Sequence, residues 1–415
     1  MPYIIYDLEI TEPLADVPLP QGHSGIALIA RRQGRPVAFI MKEVAGDRVM
    51  TAATLSRLVA AEIAAPNGPN PLQNLPPAGY SDALPALTVA VCTRDSVQNL
   101  AACLGRLLEL RHLESETFFE IIVVDNAPSG EETKALVASL AGVRYVREPR
   151  PGLNFARNRA LREASGEILA FVDDDVIVDR SWLRGLAHAM CCHPDAVAFT
   201  GLVLPLELQT DAQILFEKRG GFEKSFETIR YGPTLPGHPF YPCIGGKFGT
   251  GCNMAFRRQV LLELGGFDEA LDTGAALPGG GDTDMFYRVI RAGYPLIYEP
   301  QFLVFHRHRQ DYDKLRRQYA RSWGQGLMAF VAKTYKYDAS QRPKIRRLVV
   351  WWFDAHFRDL LNSLRGNHVL PANMILAEIW GGVTGIFGAY PRSVRRVKRI
   401  RRQFSSLAEN QNVSH

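Results

Sequence analysis

Between Leu87 and Asp175 four strand-like runs, LTVAVCT, FEIIVVD, VRYVRE and EILAFVDDD, alternate with three stretches of helical periodicity, Val97–Leu110, Glu131–Leu140 and Phe155–Ala164. Strands that read apolar along their length are buried on both faces, and strands that alternate with helices build a parallel sheet. This pattern constrains the chain more than any other feature. It predicts an α/β class with a mostly parallel, Rossmann-like sheet. Ligands of such sheets bind outside the carboxyl ends of the strands. Thr93–Arg94, Asp125–Asn126 and Asp173–Asp175 all fall at those ends.

The 415 residues leave room for two or three domains. We expect a small α+β unit over 1–65, with apolar runs Gly25–Arg31 and Arg35–Met41 forming a hairpin around RQG and a helix over Thr51–Ala65. The stretch 66–86, rich in Pro, Asn and Gly, reads as a linker. The α/β domain would occupy 87–310, and a helical, basic region 311–415. With 47% hydrophobic and 22% charged residues the chain buries a core, which excludes disorder as its main state. None of the six cysteines lies in a CxxC pair, which excludes a zinc ribbon or redox dithiol. Cys92 and Cys252 read as reduced, buried thiols, fitting a cytoplasmic protein. MPYIIYDLEITEP has neither a basic nor a long apolar segment, so no signal peptide is expected. CTRDSVQNL has no glycine, which excludes a GxGxxG dinucleotide site after the first strand.

Three adjacent carboxylates, Asp173, Asp174 and Asp175, repel one another unless a cation sits among them. If the strand continues, Asp173 and Asp175 share a face and could hold Mg²⁺ or Mn²⁺; otherwise the triplet is a solvated acidic turn. Asp125 suits either an Asx-turn or an acceptor for a base or ribose group. Asp282 and Asp284, in PGGGDTDMFYRV, suit a helix N-cap or a general base, with glycines that let the backbone approach a ligand. His306 and His308 would share a face of a strand end, and one could be a third metal ligand. Arg157 and Asn158, at a helix start, suit phosphate or a solvated surface.

Taken in order, these pieces resemble glycosyltransferase family 2, the inverting enzymes with a GT-A nucleotide-diphospho-sugar transferase fold, over about Leu87 to His308. The resemblance implies that Thr93, Arg94 and Asp95 in CTRD begin the nucleotide site and that Asp125 contacts the base. GLNFARN, with Arg157, matches the family's ARN segment. FVDDD matches its DxD motif, with Asp173 toward ribose and metal, Asp174 on the nucleotide-sugar side and Asp175 as the main metal ligand. It implies that Asn253 in GTGCNMAFRR faces donor or acceptor, and that Asp282 in GGGDTDMFYR is the base. Asp284 and Arg288 also match there, and Gly281 stands where the family has Glu. Gly281, Asp284 and His308 would contact the acceptor or support the site from behind. The implied reaction is a single displacement at an anomeric carbon, with Mn²⁺ or Mg²⁺ as cofactor and a UDP-sugar as the commonest donor. The rival classes are a metal-dependent nucleotidyl- or phosphotransferase and a non-catalytic nucleotide-sugar-binding scaffold.

From His306 onward there are 21 Lys/Arg against 7 Asp/Glu, while residues 1–305 carry 27 against 36. Such asymmetry points to an anionic partner for the C-terminal part. Ile345–Leu364 reads as an interfacial amphipathic helix or as one packed on the core. Val369–Tyr390 is long enough to span a bilayer, but Pro371, Asn373, Glu378 and four glycines favour a re-entrant or surface-lying segment. With the basic run RSVRRVKRIRR, this predicts peripheral contact with the inner face of a membrane and a lipid-linked or cell-envelope acceptor. Nucleic acid is not expected as a partner, since no recognised module accompanies the basic tail.

Overall fold

The computed structural model describes residues 2–44, 48–64, 84–113, 118–222, 225–235, 238–271 and 277–412. Residues 66–83 of the expected linker lie outside them.

The N-terminal unit contains β1 (Tyr3–Glu9), the two-residue pair β2 (Val17–Pro18) and β5 (Val49–Met50), β3 (Gly25–Arg32), β4 (Arg35–Glu43) and α1 (Ala52–Ile63). The expected hairpin is β3–β4. Gln33 and Gly34 both take positive φ at its tip, as a two-residue turn matched to strand twist requires. The backbone N–H groups of Gln33 and Gly34 donate to Glu9, which ties the tip to the end of β1. β1 pairs parallel with β3, a strand that the sequence reading did not foresee.

The large sheet is built from β6 (Leu87–Thr93), β7 (Phe119–Asn126), β8 (Val143–Glu148), β9 (Ile168–Asp173), β10 (Val176–Val178), β11 (Ala198–Pro205), β12 (Ile229–Tyr231), β13 (Asn253–Arg257) and β14 (Leu296–His306). Their order is β10-β14-β11-β13-β9-β6-β7-β8, with β12 also on β14. β6 to β9 are mutually parallel, as expected, and β13 runs antiparallel between β9 and β11. The chain builds outward from β6 through β7 to β8, then returns to place β9 on the other side of β6. That reversal opens a crevice at the carboxyl edge. Helices α2 (Val97–Leu113), α3 (Glu132–Ala138), α4 (Leu153–Glu163), α5 (Trp182–Cys192), α6 (Asp211–Lys218), α7 (Arg258–Glu263) and α8 (Gly281–Arg291) complete this part of the chain. One apolar cluster joins α2 and α5 to one face of the sheet, and a second joins α4, α7 and α8 to the other.

The region after β14 is helical, as expected, but broken. α9 (Tyr312–Gln318) runs through a π-helical stretch, Tyr319–Gly326, into α10 (Leu327–Tyr337); α11 (Arg342–Leu364), α12 (Ala372–Thr384) and α13 (Tyr390–Asn412) follow. α12 lies so close to the π-helical stretch that a Cβ on Gly381 would overlap the carbonyl of Ala320. Glu378, on the same helix, pairs with His356 of α11 at 3.2 Å. The glycines and glutamate that argue against a bilayer span are thus used in helix packing. Among the described residues no helix is long and apolar enough to cross a membrane.

Candidate active site

Sheet register brings the strand ends together. Thr93 pairs with Asp125, and Cys92 with Asp173, so three neighbouring strands deliver their polar termini at one level. Asp125 is buried. Its Oδ2 accepts a hydrogen bond from the Tyr145 hydroxyl at 2.9 Å, and Oδ1 has no hydrogen-bond partner among the described residues. Burial raises its pKa. Its neighbour Asn126 ties β7 to the loop before α4, accepting from Gly152 N–H and donating to the Arg150 carbonyl.

The strand ends at Asp173, so Asp174 and Asp175 lie in a turn and strict alternation of faces does not reach them. Thr93 donates its hydroxyl to Asp174 at 2.5 Å. Burial, helped by Asp175, pushes the Asp174 carboxyl up to about 6 against hydrogen bonds from Thr93 and Ser96. Asp175 Oδ1 lies 3.3 Å from His306 Nε2. His306 ends β14, and its Nδ1 lies 3.1 Å from Nδ1 of His308, whose Nε2 is 2.7 Å from Glu217 on α6. Burial lowers the His306 pKa to about 4, which leaves a neutral imidazole with Nε2 toward the carboxylates. His308 and Glu217 stand behind His306 and fix its ring, as carboxylate–histidine pairs do behind metal ligands. His306 has Asp175 at 3.3 Å and a carboxylate oxygen of Asp173 within 4.8 Å, and carboxylate oxygen with neutral imidazole nitrogen suits Mn²⁺ or Mg²⁺. Arg309, exposed, sits 3.8 Å from Asp175. Neither Arg309 nor Glu217 was singled out from the sequence, though HRHR carried a signal for the former.

Arg157 is not on a solvated face. It is buried on α4, donates to the carbonyl of Gly251 and the side chain of Asn154, and lies 3.9 Å from Asp173. Its neighbour Asn158 exchanges hydrogen bonds with the backbone of Phe267. Asp282 belongs to the first turn of α8, but the cap position is Gly280. Its Oδ2 reaches across to accept from Gly251 N–H at 2.8 Å. Gly251 therefore links Asp282 to Arg157, and Arg157 to Asp173.

Several expectations change. Asn253 does not face a ligand. It is wholly buried, accepts from the Trp182 indole and donates to the carbonyls of Leu202 and Phe302. Asp95 spends both carboxylate oxygens on Ser129, pinning the β6–α2 loop to the β7–α3 loop, and Arg94 lies exposed beside it. Asp284 is buried in an ionic cluster with Arg288 and Lys333, welding α8 to α10 rather than meeting an acceptor. The glycines before Asp282 approach protein, not ligand: a Cβ on Gly280 would crowd the carbonyl of Gly326, and one on Gly281 would overlap the Asn154 amide. A side chain at 281 would require the Asn154 amide to move. Cys252 is the free, buried thiol that the sequence suggests, and its Sγ lies at the site. It lies 2.8 Å from the Thr250 hydroxyl and within 4.8 Å of donor atoms of Asp173 and His306.

The fold is that of GT-A proteins, and residues 88–265 match the family described as glycosyl transferase family 2. Pre-mycofactocin glycosyltransferase of Mycobacterium tuberculosis is 26% identical over 235 residues, covering 56% of this chain and 45% of that protein. Succinoglycan biosynthesis protein ExoM of Rhizobium meliloti is 28% identical over 233 residues, covering 52% of this chain and 65% of that protein. The matched region thus spans about half to two thirds of these relatives. The structure of a mannosyltransferase, PcManGT from Pyrobaculum calidifontis, in complex with GDP-Man and Mn²⁺, aligns with a TM-score of 0.50 at 19% identity. That alignment covers 76% of this chain and 90% of the mannosyltransferase, a likeness of fold.

Proposed function

We propose that this chain is an inverting glycosyltransferase that moves a sugar from a nucleotide-diphospho-sugar, UDP-sugars first among the donors, to a hydroxyl of a carbohydrate or lipid-linked acceptor. The observation that carries this reading is the convergence of Asp125, Asp173, Asp175 and His306 at one sheet edge with Asp282 linked to them through Gly251 and Arg157.

Asp125, with a free buried oxygen at the strand end, accepts a base N–H, and the Thr93–Asp174 pair shapes the floor beside it. A divalent ion held by Asp173, Asp175 and His306 would supply positive charge to the departing diphosphate. Asp282 accepts the proton of the acceptor hydroxyl as its oxygen bonds to the anomeric carbon and the bond from that carbon to the diphosphate oxygen breaks. The Gly251 N–H fixes the carboxylate for that role. The electron pair of the broken bond leaves with the nucleoside diphosphate, and configuration inverts.

Membrane contact belongs to the same proposal. α11 leaves Val350, Phe357, Leu361 and Leu364 exposed along one stripe, and α12 leaves Leu376 and Trp380 exposed one turn apart. α13 buries Val397 and Ile400 against the core and turns Arg395, Lys398, Arg399 and Arg402 outward. Apolar stripes and a basic helix in one C-terminal region suit an anionic bilayer surface, at the cytoplasmic side.

The test is a thermal-shift and turnover panel with UDP-, GDP- and dTDP-sugars, with and without Mn²⁺. Asp282→Asn should keep the nucleotide-dependent shift and lose about 10²-fold or more in turnover. Asp175→Ala should lose the metal-dependent shift. Full turnover by Asp282→Asn would favour nucleotidyl or phosphoryl transfer, and nucleotide binding without turnover would favour a scaffold.

A further inference from the structure

We infer that Cys252 is a metal ligand and that its sulfur gives this site a second coordination mode, selective for softer divalent ions such as Zn²⁺ or Co²⁺. The inference rests on the reading that the strand-end site binds a divalent ion, and goes beyond it in assigning a thiolate to that ion.

Among the described residues, Asp173, Cys252 and His306 are the group of three whose oxygen, sulfur and nitrogen donors all lie within 4.8 Å of one another. They come from two strand ends and the turn that leads into a third strand. Asp173 ends β9, His306 ends β14, and Cys252 immediately precedes Asn253, which pairs with Val172. Donor atoms around a tetrahedral ion with bonds of about 2.0–2.3 Å lie about 3.3–3.8 Å apart, a spacing inside the 4.8 Å within which these three fall. The His306 ring is already held from behind by His308 and Glu217. Cys252 is buried, and among the described residues the Thr250 hydroxyl is the polar group at hydrogen-bond distance from its sulfur.

The two modes share His306 and Asp173 and differ in the other ligand. Oxygen donors suit Mn²⁺ and Mg²⁺, and Asp175, 3.3 Å from His306, completes that set. Sulfur, nitrogen and one carboxylate form a three-ligand tetrahedral site with an open fourth position, the arrangement that zinc favours. Binding exchanges the thiol proton for the metal: the S–H bond breaks, the proton leaves to solvent, and a sulfur–metal bond forms. A softer ion would thus compete with Mn²⁺ for the site.

The experiment is a Co²⁺ titration of the full chain, read by the thiolate-to-cobalt charge-transfer band in the near ultraviolet, with Mn²⁺ binding followed separately by the paramagnetic signal of the free ion. Cys191 and Cys192 lie next to each other and Cys192 faces His188, so a C191S/C192S background removes that alternative thiol source. In that background we expect the band, its loss on adding Cys252→Ser, and a fall in Zn²⁺ affinity of about tenfold or more, with Mn²⁺ affinity changing far less. Should Cys252→Ser melt early, the band is read in Asp173→Asn and His306→Gln, which remove the other two ligands and should also lose it. Metal binding without the band in the C191S/C192S protein overturns the proposal and leaves the divalent-ion reading standing. Binding of neither Co²⁺ nor Mn²⁺ overturns both.

Discussion

At the scale of single residues, one backbone position carries two functions. Gly251 offers its N–H to Asp282 and its carbonyl to Arg157, so the base candidate and the buried guanidinium are set by the two peptide groups of one residue. Gly281 acts by absence, because its missing Cβ leaves space for the Asn154 amide that donates to the carbonyls of Asp268 and Leu271. Gly281→Ala should therefore cost about 1–3 kcal/mol by overpacking. In a double-mutant cycle monitored by urea unfolding, Asn154→Ala should relieve most of that cost, and strictly additive effects would sink the explanation. Asp125, Asp173, Asp175, Asp282 and His306 were legible as site candidates because chemistry collects at strand ends and helix starts. Asp95 and Asn253 were misjudged because a polar side chain in a motif can spend its hydrogen bonds on the fold. Cys252 was missed because a cysteine among glycines looks like any buried thiol.

At the scale of elements, the N-terminal sheet is held on the large domain by a buried ion pair. Arg31, 1% exposed, makes two hydrogen bonds to Asp179 just before α5 and a third side-chain bond to Asp7 of β1. The backbone N–H of Tyr3 donates to Leu208, just ahead of α6, the helix that carries Glu217. Asp179→Ala leaves Arg31 buried without its main partner and should destabilise the protein by about 3–5 kcal/mol. Replacing both partners, as Arg31→Met with Asp179→Ala, should recover a large part of the loss in equilibrium unfolding. A double variant as unstable as the single one would mean that the pair is not what docks the sheet. The hairpin, α1 and the alternation of strands with helices were readable from apolar period. Pairing of β1 with β3 was not, since partners distant in sequence leave no local mark.

At the scale of the whole molecule, the charge asymmetry of the sequence becomes a surface. The outward arginines of α13 and the exposed stripes of α11 and α12 belong to the same C-terminal helical region, and Trp380 and Phe387 remain 68% and 74% exposed. We expect the protein to sediment with phosphatidylglycerol vesicles in a salt-sensitive manner and not with phosphatidylcholine vesicles. Trp380→Ala with Phe387→Ala should weaken that binding by about 2 kcal/mol per side chain. Equal affinity for both vesicle types, or none for either, would remove the membrane from the proposal.

What the sequence determined by itself was the α/β class, the polar residues at the strand ends, and the sign of the C-terminal charge. These follow from local period and composition, which each segment holds alone. Only the tertiary structure decided which polar residues remain available and which are consumed by packing. It buried Asn253 and Asp284, brought Cys252 beside Asp173 and His306, and gave the glycines at 280, 281 and 381 their neighbours. The physical reason is that hydrogen bonding and close packing are satisfied between strands and helices far apart in the chain, and no segment records its distant partner.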